Sequence, residues 1–128
     1  MHHSRLCTIV IDCRVDDLAP AAAFWSAALG RRIASLDQDG DGRYAELETA
    51  TDEPIILLQK VGHESRVHLD IETDDLEAEA RRLEALGATR IAFVRERWWV
   101  MQAPTGHRFC IVRRQRADFG PHLNTWPA

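Results

Sequence analysis

Apolar and polar positions alternate along residues 7–15, where β-branched types also concentrate, and this predicts a strand. The period then changes. Leu18, Ala21, Ala22, Trp25, Ala28 and Leu29 fall on one stripe at helical spacing. Asp16 or Asp17 is placed to cap the start of that helix, and Gly30 sits where a helix end takes a left-handed residue. Residues 31–36, 43–49 and 55–61 read as three strands, with polar turns at 39–42 and 52–54. The same order then returns: a strand at 66–72, a helix capped by Asp74 with Glu77 completing a capping box, and a stripe of Leu76, Ala80, Leu83 and Leu86. Gly87 closes this helix, and strands follow at about 89–94, 97–102 and 107–114. Residues 117–128 read as an irregular tail pinned by Phe119 and Trp126.

The recurrence extends to individual residues. Ile9-Val10-Ile11-Asp12-Cys13-Arg14-Val15-Asp16-Asp17-Leu18 returns as Val67-His68-Leu69-Asp70-Ile71-Glu72-Thr73-Asp74-Asp75-Leu76. Each phrase runs into a helix closing on Ala-Leu-Gly. Two copies are too few for a solenoid, which needs three or more. The expectation is therefore an α+β fold of two tandem βαβββ units, about 5–62 and 65–115. They would share one 1–128 domain, related by a pseudo-twofold axis, with an open barrel-like sheet around a cleft.

With 45% hydrophobic and 28% charged residues, the 128-residue chain has the balance of a globular domain. A net charge of −4 excludes a global pull toward nucleic acid or anionic membrane, and the arginines of the second half are interrupted by Glu and apolar residues. No apolar run is long enough to span a bilayer, and three irregularly spaced cysteines make no disulfide framework, so a cytoplasmic setting is expected. Asp37-x-Asp39-x-Asp41-Gly42 with Glu48 fits the calcium-loop pattern of an EF-hand. The β-like flanks favour a polar hairpin turn with at most weak calcium binding.

Phe24-Trp25-Ser26-Ala27-Ala28-Leu29-Gly30, Ile56-Leu57-Leu58-Gln59-Lys60-Val61, Arg66-Val67-His68-Leu69-Asp70 and Ala103-Pro104-Thr105-Gly106-His107-Arg108-Phe109-Cys110 resemble segments of the vicinal oxygen chelate superfamily, in a glyoxalase-like subgroup. That superfamily includes glyoxalase I, bleomycin-resistance proteins and extradiol dioxygenases. Ala103 and Thr105 depart from the acidic residues usual in the subgroup's turn. The resemblance implies a small-molecule ligand and a homodimer. It also implies four metal positions, which here fall on Val10, Gln59, His68 and Cys110. Val10 has no donor and Cys110 stands where a Glu is usual, so no metal is expected.

Side chains two apart on a strand share a face. If His68 faces the cavity, as the resemblance implies, so do Asp70 and, through the repeat, Asp12. Two carboxylates and an imidazole in a partly apolar cavity can divide general-acid and general-base roles. Alternatively the carboxylates bind local backbone or pair with Arg, and His68 is structural. Arg108 shares the face of Cys110 and is placed to hold a substrate carboxylate, with Gln59 orienting it. Cys110 is either a ligand contact or an inert thiol. Of the adjacent Trp98 and Trp99, one must be core and the other a cavity wall; Trp99 is assigned to the wall. The first expected function is metal-independent lyase or isomerase chemistry by His68, Asp70 and Asp12. The alternatives are a sequestering protein of the bleomycin-resistance type and, disfavoured, a metal-dependent glyoxalase or dioxygenase.

Overall fold

A computed structural model describes residues 1–36, 41–117 and 119–128. Asp37 and Asp39, on which the calcium pattern depends, lie outside the described residues. The flanks of that loop are antiparallel strands, with Leu36 opposite Ala45, and neither is a helix. The elements run β1 (His2–Cys13), α1 (Leu18–Leu29), β2 (Ile33–Leu36), β3 (Tyr44–Leu47) and β4 (Ile55–Lys60). They continue as β5 (Arg66–Thr73), α2 (Leu76–Ala85), β6 (Thr89–Val94), β7 (Trp98–Gln102), β8 (Arg108–Arg113) and β9 (Asn124–Trp126). The described chain divides into two compact units, a first of Thr8–Val67 and a second of Met1–Cys7 with His68–Ala128. None of its described helices is long and apolar enough to cross a membrane.

The first unit orders its strands β2-β3-β4-β1, with β1 parallel to β4 and the other pairs antiparallel. Register sorts its side chains into two faces. Ile11, Leu58 and Ala45 lie in one row and pack with Leu18 and Ala22 of α1. The opposite face carries Val10, Leu57 and Glu46 in one row and Asp12, Gln59 and Tyr44 in the next. Asp17 caps α1, accepting the Ala19 N–H at 3.0 Å, and Gly30 ends it at φ 67°. Ala28 and Leu29, expected in the buried stripe, are exposed in the last turn of the helix, where the stripe runs past its packing partners.

The second unit orders its strands β5-β8-β7-β6, with β5 parallel to β8. Ile71, Ile111 and Trp99 form the row that meets Ala80 and Leu83 of α2. Asp75, not Asp74, caps α2: extended at φ −147°, it accepts the Ala78 N–H at 3.0 Å. The expected capping box is therefore absent. Asp74 binds the N–H and ring Nδ1 of His3 instead, at 2.8 and 2.7 Å. Leu86 is exposed rather than in the stripe, and Glu79 takes a buried place on the helix. The tail is not wholly irregular. β9 pairs with His2–Ser4, Trp126 Nε1–H donates to Ser4 Oγ at 2.7 Å, and Phe119 is buried.

Candidate functional site

Strand alternation puts His68, Asp70 and Glu72 on the side of β5 opposite α2, and register sets Cys110 of β8 beside Asp70. His68 Nε2 lies 3.4 Å from Asp70 Oδ1, and one donor atom from each of His68, Asp70 and Cys110 falls within 4.8 Å of the others. The His68 and Asp70 side chains are each 14% exposed, sheltered yet open to a ligand. Asp70 Oδ1 is buried and receives no hydrogen bond from the described residues, so the nearby imidazole is its electrostatic partner. An imidazole beside a carboxylate is a stronger base, because the carboxylate stabilises the imidazolium formed when it takes a proton.

Arg108 shares this face, as expected, with its Nε–H donating to Gln102 Oε1 at 2.9 Å. That bond engages the Nε–H of the guanidinium and leaves its two Nη groups outside this contact. Trp99 does not form a wall. It packs on the α2 side, its ring 4.9 Å from that of Phe93 and beneath the Arg90 guanidinium. Both tryptophans are apolar at their positions, so sequence parity alone does not choose between them. By alternation Trp98 is the one on the face of Val100 and Cys110. Glu72, on the same face, is committed elsewhere: fully buried, it accepts from Arg5 Nε at 2.6 Å and from the Gln115 N–H at 2.7 Å.

The first unit gathers a polar group of its own. Asp12 is buried, with Arg66 Nε 3.9 Å from its carboxylate, which is the arginine pairing weighed against an acid/base role. Gln59 Nε2 donates to Tyr44 Oη at 3.4 Å. Tyr44 and Glu46 were not singled out in the sequence. Their signal was the alternation Tyr44, Glu46 against buried Ala45 and Leu47, which puts both on the face of Asp12. Cys13 lies on the α1 side, where burial first and the Asp12 charge second push its thiol up, leaving it unreactive. A cavity of about 670 Å³ in this unit, lined by Arg14, Asp16, Arg43 and Lys60 among others, contains none of the candidate residues.

The four positions that the resemblance assigns to a metal do not fit a hard divalent ion. Val10 is apolar and 1% exposed, Gln59 is bonded to Tyr44, and Cys110 offers sulfur where an oxygen ligand would be needed.

Comparisons with known proteins agree with this architecture. A family model described as a glyoxalase-like domain matches residues 8–112. Among curated proteins, none matches the chain. A hypothetical protein from Bacillus halodurans C-125 superposes with a TM-score of 0.64 at 16% identity, over 88% of this chain and 96% of that one. Methylmalonyl-CoA epimerase from Mycobacterium tuberculosis superposes at 0.63 with 20% identity, over 84% and 86%. A single-residue variant of the Streptomyces coelicolor methylmalonyl-CoA epimerase, in complex with 2-nitronate-propionyl-CoA, does so at 0.60 with 19% identity, over 88% and 98%.

Proposed function

The chain belongs to the glyoxalase-like domain family of the vicinal oxygen chelate superfamily, and from that premise we propose that it binds a small organic acid or thioester and moves a proton on it. The observation that carries this reading is His68 Nε2 at 3.4 Å from the buried Asp70 Oδ1, on a sheet face that also presents Arg108. His68 takes the proton from a carbon next to a carbonyl, and Asp70 holds the imidazole and stabilises its charged form. Arg108 orients the substrate through a carboxylate, a contact made before and during the transfer. Delivery of a proton from water to the opposite face of that carbon, or return of the His68 proton to a neighbouring carbon, gives isomerase chemistry; loss of a β-substituent gives lyase chemistry. The protein is taken to act in the cytoplasm as a homodimer.

The test is solvent hydrogen exchange. The chain is incubated in D2O with methylmalonyl-CoA and a panel of 2-substituted carboxylates, and deuterium entering the C–H position is followed by NMR. Exchange that is lost in His68→Ala supports the reading. Exchange unchanged in His68→Ala overturns it, as does a complete absence of exchange. A second reading, sequestration of a ligand without turnover, is favoured by Trp98, whose ring shares the face of Cys110 and offers a stacking surface. Binding without exchange in the same panel would select it.

A further inference from the structure

The donor set that fails a hard ion has a positive meaning of its own. His68, Asp70 and Cys110 offer one nitrogen, one oxygen and one sulfur, all carried by two hydrogen-bonded parallel strands of one unit. In a tetrahedral site with bonds near 2.0–2.3 Å, ligand atoms stand about 3.3–3.8 Å apart. His68 and Asp70 are already at 3.4 Å, and all three donor atoms lie within 4.8 Å. The remaining separations, at most 4.8 Å, must shorten by about one ångström to reach that range. The Asp70–Cys110 pairing in the β5–β8 ladder fixes the spacing.

We propose that these three side chains form a capture site for a thiophilic cation such as Zn²⁺, with one coordination position left to water or a ligand. Sulfur in the set selects against Mg²⁺ and Ca²⁺, which require oxygen ligands in larger number. Binding converts the Cys110 thiol to a thiolate bound to the ion and releases its proton to solvent, so metal uptake strengthens as pH rises. The site differs from the four-position arrangement tested above: it includes Asp70 and omits Val10 and Gln59. A further consequence rests on the proposed function. The His68 imidazole cannot both ligate the ion and accept a substrate proton, so zinc would act on this chain as an inhibitor.

The experiment uses the full chain, stripped with chelator and titrated with Co²⁺ and with Zn²⁺. The wild type is expected to bind one Zn²⁺ per chain by native mass spectrometry, and to give a thiolate-to-cobalt charge-transfer band with Co²⁺. Cys110→Ser should abolish the band, and Cys110→Ser and His68→Ala should each weaken Zn²⁺ binding by about a hundredfold. Cys7→Ser and Cys13→Ser should leave the band intact. Millimolar Mg²⁺ or Ca²⁺ should not compete. A wild type that melts cooperatively but gives no band overturns the proposal, as does a band that survives in Cys110→Ser. These readouts need no turnover: a band without any detected exchange keeps the metal site and removes the proton-transfer reading, and exchange without a band does the reverse.

Discussion

The two units repeat the same strand order, with the first and last strands parallel neighbours, yet they use equivalent positions differently. Val10 and His68 are equivalents. In the first unit the position is filled by a fully buried aliphatic side chain; in the second it carries an imidazole facing a carboxylate. Asp12 and Asp70 are present in both copies, but Asp12 lies near Arg66 whereas Asp70 faces His68. The helices diverge in the same sense. From Leu18 to Leu29 α1 has no charged residue, and Phe24 stands 62% exposed on it. In contrast α2 is threaded with ion pairs, among them Glu77 with Arg81 and Arg90, and Glu79 with Arg82. The two units share a strand order, but only the second sets an imidazole against its mid-strand carboxylate.

The sharpest way to break this comparison is to remove the difference. His68→Ala should lower proton exchange by roughly 10²–10⁴-fold with little change in melting temperature, because general-base catalysis is of that order and the side chain is not core. Next in size, Glu72→Ala leaves the Arg5 guanidinium buried without its carboxylate and should cost about 3–5 kcal/mol in a urea melt. The reciprocal of the first change, Val10→His, inserts an imidazole where the first unit is sealed. It should destabilise by about 1–3 kcal/mol and confer no second exchange activity.

Acid should distinguish the units further. Hydrogen bonds from Arg90, ahead of the opposing effect of burial, hold Glu77 down at about 2. Burial pushes Asp74 and Glu79 up, but hydrogen bonds from His3 to the former, and from Arg82, His2 and Ser4 to the latter, more than reverse it. All three folded values lie below the unfolded ones. Their stabilisation is present above the ordinary carboxylate range, about pH 4–4.5, and is lost as pH falls through the lowered values, which for Glu77 is about 2. The opening free energy of α2, read from hydrogen exchange corrected for the slower intrinsic rate in acid, should therefore fall across that window before that of α1. The smallest effect distinguishes the caps. Asp75→Ala should cost about 1 kcal/mol, as should Asp17→Ala in the other copy. Asp74→Ala should loosen the N-terminal His3 contact without shortening α2, as amide exchange would report.

Much of this was legible because alternation and caps are local signals. The order of strands and helices, the Gly30 terminus and the common face of His68 and Asp70 follow from spacing alone, whereas spacing leaves Asp16 and Asp17 both open as the cap of α1. What escaped was decided over long sequence distances. Choosing between Asp74 and Asp75 depends on His3, some seventy residues earlier, drawing Asp74 away. The side taken by Trp99 depends on which face α2 covers, and two adjacent tryptophans satisfy either parity. Glu79 looks like a solvated helix residue until His2 and Arg82 are brought to it. Leu86 and Leu29 looked like core because periodicity extends a stripe past the point where the sheet ends.

β9 has a practical bearing on how the chain can be handled. Its three residues cover the backbone of His2–Ser4, while Arg82 lies 3.9 Å over the Trp126 ring. Cutting the chain at Leu123 would strip that cover and leave an unpaired strand edge, the kind of surface on which chains associate edge to edge. A shortened version should therefore precipitate where the full chain stays dispersed, and light scattering would register the change before any loss of helix. An affinity handle appended after Ala128 leaves that seam closed.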